Sequence, residues 1–218
     1  MQKPFTLYAA STLGALAGLA LYNPAAFAQA MPIRLNVVVH DDVPASQRED
    51  LEARYLKPWV KEMETFSGRK VELRLNENVA GISSADYRVA DRKPLWDLLL
   101  HHNAQVWGQD NSDWNYRLDK TLLLVPGSIP AQGPEQSEVL GEGLIRNSAG
   151  WASLKTFAAA GHELGHMFGA THEGAEVLFN GWFCETYTYP YRQALRSNCY
   201  RYSDRNREAI NAYLSEAP

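Results

Sequence analysis

One short segment, residues 162–172, constrains the fold more than any other part of the chain, because its spacing suits a helix that ends in a tight turn. His162 and His166 lie four residues apart and therefore project from the same face of a helix. Gly169 allows a backbone conformation that other residues resist, so the chain can leave the helix there. The turn then brings His172 toward the first two histidines. Three imidazoles in this arrangement are typical of a zinc site with a fourth tetrahedral position left for water.

Glu163 follows the first histidine directly, where its carboxylate can reach a water molecule at the metal instead of the metal itself. This position identifies it as the candidate general base. The alternative is that the histidines are structural residues of a polar helix face. Three of the six histidines in the chain fall in this segment at the required offsets, which favours the metal site.

The length and charge of the chain limit the remaining classes of function. A chain of 218 residues suits one domain that can bury a core without several disulfides. The net charge of -4 provides no basic surface for nucleic acid or for an anionic membrane. We therefore expect a monomer without a nucleic-acid partner.

Residues 1–30 have the composition of a signal peptide. An apolar stretch from residue 13 to residue 21 precedes small-residue cleavage sites near residue 30. A membrane anchor is the alternative, but this stretch is too short to span a bilayer comfortably and Asn23 and Pro24 close it. The mature chain, residues 31–218, is therefore predicted to be exported, either to the periplasm or out of the cell, without stable membrane insertion.

Cys184 and Cys199 are the only two cysteines, and both follow the histidine segment. In an exported protein such a pair most often forms a disulfide. Free thiols or additional metal ligands are the alternatives.

Apolar periodicity predicts strands that alternate with helices, which indicates a mixed α/β (α+β) layer packed on the metal-binding helix. The predicted strands cover residues 35–39, 71–75 and 121–125. The predicted helices cover residues 46–68 and 94–107, the histidine segment from Ser153 onward, and a final stretch from Ser203.

Several local signals refine these elements. Ser46 and Glu49 have the spacing of a capping box, Pro58 should kink the first helix, and Ser153 is the expected N-cap of the metal-binding helix. Residues 127–143 are predicted to be a surface loop, and Leu144 with Ile145 should form a short edge strand.

Two further clusters do not predict sites. Residues 110–113 contain two aspartates but lack the ligand spacing of a calcium loop, so a plain turn is favoured. His101 and His102 are neighbours on a helix, point in different directions, and are poor joint ligands.

The stretch HELGHMFGATHE, residues 162–173, resembles the metzincin clan of zinc endopeptidases. It is most similar to the reprolysins (adamalysins) and related bacterial secreted proteins, whereas Glu173 is more typical of the astacins. The resemblance implies a single catalytic domain over residues 31–218, with a twisted mixed sheet on the active-site helix and a small, mostly irregular and helical C-terminal part. It also implies that the three histidines hold zinc and that Glu163 is the general base.

The chain departs from the clan at the methionine turn, because no methionine follows Met167. In the nearest equivalent, residues 184–189, Tyr187 occupies the position of the methionine. The methionine is not a metal ligand in the clan, so zinc binding should survive. Some metzincins have a tyrosine two residues further on that contacts the metal or the reacting oxygen. Tyr189 falls at that offset and is a candidate catalytic residue, although a structural role is an equal alternative.

The resemblance implies an endopeptidase that hydrolyses peptide bonds in a peptide or protein substrate. The substrate would lie along the edge strand expected at Leu144 and Ile145. Two alternatives remain: a zinc-binding module without catalysis, and a zinc hydrolase of another amide bond such as one in the cell wall.

Overall fold

The computed structural model describes residues 30–89, 91–108, 114–129 and 138–218. The signal peptide expected at residues 1–30 lies outside the described residues apart from residue 30. The turn expected at residues 110–113 also lies outside them. In the described ranges, no helix is both long and apolar enough to cross a membrane.

The described residues form a five-stranded mixed sheet with the strand order β2-β1-β3-β5-β4. All neighbouring strands are parallel except β4, which runs antiparallel to β5 at one edge. The strands are β1 (Ile33–Val39), β2 (Val71–Asn76), β3 (Asp119–Val125), β4 (Gly141–Gly143) and β5 (Ala149–Ser153). The mixed α/β class is confirmed, as are the three strands predicted from the sequence.

Helices cover both faces of this sheet, which is why its central strands β1 and β3 are buried along almost their whole length. Val37 of β1 belongs to the core on one face, together with Trp59 and Leu164 from two helices. Val38 points the opposite way and packs in a second core with Leu99. The helices are α1 (Ala45–Arg48), α2 (Lys57–Ser67), α3 (Lys93–Gly108), α4 (Ala159–Met167) and α5 (Asp204–Leu214).

The helix predicted over residues 46–68 is divided into three segments. Between α1 and α2 lies a π-helical turn, Glu52–Leu56. Pro58 follows at the start of α2; it has no backbone N–H and clashes with the preceding turn, so the wider turn accommodates it in place of a simple kink. The capping box is wrong, because α1 begins after Pro44 without a side-chain cap. Gly68 ends α2 in the left-handed conformation, as predicted.

Two expectations about the approach to the histidine segment are also wrong. Ser153 does not cap a helix; it ends β5, and α4 begins only at Ala159. Leu144 and Ile145 are exposed and follow the edge strand instead of forming it. The strand pairing of β5 with β3 explains both errors, because it draws residues 149–153 into the sheet through contacts that local sequence does not report.

The C-terminal part combines a small sheet with a helix. Strands β6 (Val177–Phe179), β7 (Phe183–Glu185) and β8 (Ser197–Asn198) pair in this order. A disulfide joins Cys184 to Cys199, which confirms the predicted bridge. Ser203 caps α5 by accepting a hydrogen bond from the Asn206 backbone N–H, as the sequence indicates.

Candidate metal centre

The three histidines of the motif converge. His162 and His166 lie one turn apart on α4, and His172 lies in the short 3-10 turn that follows Gly169, whose φ is +99°. Their Nε2 atoms form a triangle with sides of 2.9, 3.0 and 3.1 Å. Among the described residues, these three histidines form the group able to hold a metal ion.

The hydrogen bonds of the opposite ring nitrogens show that this group fits zinc. Nδ1 of His162 lies 2.9 Å from the Tyr187 carbonyl oxygen, and Nδ1 of His166 lies 2.8 Å from that of Ala170. A carbonyl can only accept, so both Nδ1 atoms carry the proton and both Nε2 atoms present lone pairs. Converging lone pairs repel one another unless a cation lies between them. An ion about 2.0–2.1 Å from each nitrogen can sit just above a triangle of this size.

The electrostatic surroundings keep the ligands in the form that binds metal. The pKa of His162 is lowered to about 3, mainly by burial and also by the neighbouring rings of His166 and His172 and the charge of Arg192. Burial is also the main cause of the lowered pKa of His166. Both imidazoles are therefore neutral at pH 7.

Glu163 lies next to the triangle, and its carboxylate packs against β4. Burial raises the pKa of Glu163 to about 8, while a hydrogen bond from the backbone of Gly143 opposes this shift. A Cβ atom at Gly141 would lie 2.5 Å from Cγ and Oε1 of Glu163, and one at Gly143 would overlap its backbone oxygen. The edge strand can approach the helix only because both positions are glycine.

Sequence reasoning missed these two glycines because they were assigned to a loop. The available signal was their spacing: residues two apart on a strand face the same side, and here both face α4. The edge strand is thus displaced from the predicted residues 144–145 to Gly141–Gly143.

Tyr187, the predicted counterpart of the methionine of the methionine turn, lies directly beneath α4. Its side chain is 2% exposed, and its ring fills the space over Gly161, where an added methyl group would overlap it. Tyr202 packs in the same way over Gly165, one helical turn further on, and donates a hydrogen bond to the Gly161 carbonyl oxygen. Two small residues on the helix therefore compensate for two bulky rings below it.

Tyr189 is half-buried on the wall of a cleft that His162 and Glu163 also line. Its hydroxyl accepts a hydrogen bond of 3.4 Å from Nη1 of Arg196. This contact places the Tyr189 hydroxyl beside the Arg196 guanidinium.

Asn206 is a further residue that the sequence did not reveal. From α5, its Oδ1 accepts from the Thr171 backbone N–H at 3.0 Å, and its Nδ2 donates to the Thr171 oxygen at 2.9 Å and to Oγ1 of Thr188 at 2.8 Å. The Asn206 side chain thereby holds the backbone of Thr171, the residue that directly precedes His172. No local pattern marks such a residue, because its partners are more than fifteen positions away.

The cleft runs between β4, α4 and the segment that follows β7. Its described walls include Leu140 and Gly141 on one side and Thr186, Pro190 and Arg192 on the other. The triangle of histidines and the Glu163 carboxylate lie where these walls meet, so a molecule in the cleft would reach both.

Comparison with known proteins gives a likeness in structure alone. No protein-family model matches the chain, and no curated protein sequence matches it. A zinc-dependent peptidase from Methanocorpusculum labreanum (strain Z) is 15% identical with a TM-score of 0.49, over 81% of this chain and 100% of that one. Metalloproteinase-II from Bacteroides fragilis is 12% identical with a TM-score of 0.54, over 85% of this chain.

The second superposition decides the fold class. The fold is similar to that of this Bacteroides metalloproteinase. This chain spans 53% of the length of the Bacteroides protein, and at 12% identity the likeness concerns the backbone arrangement and not the activity.

Proposed function

We propose that the mature chain, residues 31–218, is an exported zinc endopeptidase of the metzincin type. In this proposal His162, His166 and His172 hold the zinc ion and Glu163 is the general base. The observation that carries it is the triangle of Nε2 atoms, 2.9–3.1 Å apart, with the buried carboxylate of the adjacent residue beside it. The metalloproteinase-like fold supports it.

Zinc, when bound, supplies a Lewis acid that polarises a substrate carbonyl and acidifies water. Glu163 takes the proton of the attacking water and passes it to the leaving amine. Its surroundings suit this task, because burial raises the pKa of the carboxyl well above its ordinary value and so increases its affinity for the proton that it takes from water. The carbonyl oxygens of Tyr187 and Ala170 hold the two helical imidazoles in the ligating tautomer.

An extended substrate fits along β4. This strand is at the edge of the sheet, β5 occupies one of its sides, and Gly141 lines the cleft on the other. Backbone hydrogen bonds to β4 would hold a peptide of any sequence antiparallel to the strand and bring one carbonyl over the histidines. Tyr189 would contact the substrate from the facing wall.

The proposal is tested with Glu163→Ala and, as a matched control, Glu173→Ala, an exposed glutamate at the other end of the same motif. We expect about one zinc per chain in the natural protein and in both variants. Glu163→Ala should lower kcat/KM on a peptide library by a factor of about 10² to 10⁴, the usual contribution of a general base. Metal content is measured by elemental analysis and cleavage by mass spectrometry, with and without chelator.

Each of the other outcomes rejects a part of the proposal. Unchanged cleavage in Glu163→Ala would remove the carboxylate from the mechanism. Full zinc content without turnover of any peptide would select the non-catalytic module, and turnover of a cell-wall amide alone would select the other hydrolase.

A further inference from the structure

Glu185, at the end of β7, is a buried carboxylate in the cleft wall that the proposed chemistry does not use. Its side chain is 1% exposed. Oε1 accepts a hydrogen bond of 3.0 Å from the Gln193 backbone N–H, whereas Oε2 is buried without a hydrogen-bond partner. A charge in such a position is costly unless cations face it.

Two arginines supply that compensation. Nε of Arg192 lies 4.0 Å from Oε2 of Glu185, and Nη1 of Arg196 lies 3.7 Å from Oε1. Two positive charges against one negative charge leave this end of the cleft with a net positive charge. An acidic group that entered the cleft would be attracted there.

The two arginines differ in whether their guanidinium N–H groups already have a hydrogen-bond partner. Arg196 donates to the Tyr189 hydroxyl and lies against its ring, with 5.8 Å between Cζ and the ring centroid. Arg192 is 34% exposed and lines the cleft together with His162 and Glu163. Among the described residues its guanidinium group finds no hydrogen-bond partner, so its donors are available to a ligand.

The backbone around Glu185 holds this arrangement in place. The neighbouring Cys184 is in the disulfide with Cys199, and the Cys199 backbone N–H donates to the Glu185 carbonyl oxygen at 3.0 Å. Glu185 also pairs with strands on both of its sides. The backbone at Glu185 is therefore held on both sides, and its buried carboxylate faces the Arg192 guanidinium at 4.0 Å.

We infer that Arg192 is a specificity-determining residue that binds the carboxylate of an acidic substrate side chain, Asp or Glu, next to the scissile bond. Glu185 is the positioning residue that orients it. This inference rests on the proposed peptidase function. A guanidinium group suits the task because it binds a carboxylate through two parallel N–H donors.

The other cleft residues agree with an acidic preference. Among the residues described along the cleft, Arg192 is the cation, and Glu138 on the opposite rim is already neutralised by Lys155 at 2.7 Å. A basic side chain could instead donate to the free oxygen of Glu185, but two arginines within 4.0 Å would repel it.

The test compares matched fluorogenic peptides that carry Glu, Gln or Lys at each position beside the scissile bond. For the natural protein we expect kcat/KM to favour Glu over Gln by about 10-fold at one position, as for a charge-assisted pair that replaces a neutral one. Arg192→Gln should bring this ratio close to one, and Arg192→Glu should invert it in favour of Lys. Arg88→Gln, which removes an exposed arginine outside the cleft, is the control and should retain the ratio.

The role of Glu185 requires a separate measurement. Glu185→Gln should raise KM for the Glu peptide relative to the Gln peptide, while the kcat values of the two peptides remain equal to each other. A uniform loss of activity on both peptides would show that Glu185 supports only the structure of the wall.

Two results would overturn the inference, and one would overturn the peptidase instead. A Glu-to-Gln ratio near one in an active natural protein would remove Arg192 from recognition. A Lys preference that Glu185→Gln abolishes would show that the buried carboxylate reads the substrate. If no peptide is cleaved, the peptidase proposal fails, and fluorescence anisotropy of the same labelled peptides with Glu163→Ala and Glu163→Ala/Arg192→Gln still decides acid recognition.

Discussion

At the scale of single residues, glycines make the centre possible as much as histidines do. Gly161 and Gly165 directly precede His162 and His166, and the lack of a side chain at each leaves room for a neighbouring ring. Gly161 admits the Tyr187 ring and Gly165 admits the Tyr202 ring. The sequence shows that Tyr187 stands in place of the methionine, but it does not reveal that the glycine preceding the first histidine makes room for the larger ring.

A double-mutant cycle tests this match. Gly161→Ala should lower the free energy of unfolding by about 1–3 kcal/mol, because its methyl group overlaps the Tyr187 ring. In Gly161→Ala/Tyr187→Met the smaller, flexible side chain makes room, so the double variant should lose about 1 kcal/mol less than the sum of the two single variants. Urea unfolding of the four proteins provides the measurement.

Gly108→Ala is the control for this cycle, since a methyl group there meets no atom within 4 Å. It should change stability little. Strict additivity between positions 161 and 187 would mean that the helix shifts to accommodate the methyl group and that the two residues are not matched.

At the scale of elements, the helix that carries the ligands depends on the last helix of the chain. α4 supplies two histidines, and the turn that carries the third is held by Asn206 of α5. The third ligand is therefore oriented by a residue that lies beyond the small sheet and the disulfide.

Asn206→Ala tests this dependence. Without the amide, the Thr171 backbone loses its partners and His172 becomes free to move, so zinc affinity should fall by about 10-fold or more, as for other groups that orient metal ligands. Competition with a chromophoric chelator gives the dissociation constant. Asn211→Ala, on the exposed face of the same helix, should leave it unchanged. Equal zinc affinities in the natural protein, Asn206→Ala and Asn211→Ala would show that the turn keeps its conformation without the Asn206 side chain.

The difference between local and long-range information explains which parts of this structure the sequence predicts. The spacing of residues 162–172 predicts the convergence of the histidines because helix geometry and one glycine turn determine it locally. Strands β1 and β3 are predictable because burial on both faces leaves a continuous apolar run. Strand β4 and the end of β5 at Ser153 are not predictable, because their structure comes from pairing with distant strands.

At the scale of the whole molecule, a lysine lies inside the core between the sheet and two helices. Lys120 of β3 is fully buried, and its Nζ donates to the backbone oxygens of Tyr116 and Asn147, each at 2.9 Å. The ring of Phe168 lies 4.9 Å from it. Burial lowers the pKa of Lys120 from 10.5 to about 7. The stability of the whole fold is thereby linked to pH.

The sign of this link follows from the two states. Between pH 7 and pH 9 the unfolded chain keeps the proton on Lys120 while the folded protein has largely lost it, so raising the pH stabilises the fold. Over this window the natural protein should gain about 2 kcal/mol in unfolding free energy relative to Lys120→Met. Urea denaturation at pH 7, 8 and 9 measures the difference.

Lys61→Met removes an exposed lysine and is the control. Its free energy of unfolding should change with pH as that of the natural protein does across the same window. If the free energy of unfolding changed equally with pH in the natural protein and in Lys120→Met, the buried amine would keep its proton throughout.

The position of the disulfide has a consequence for where the protein becomes functional. All three proposed metal ligands precede Cys184, whereas Glu185, Tyr189 and Arg192 lie between the two bridged cysteines. Where the thiols stay reduced, the three histidines could still converge, but residues 184–199 of the cleft wall would be held less firmly. In an oxidising compartment the disulfide would fix this part of the wall, so the cleft would be complete only where the two thiols can pair.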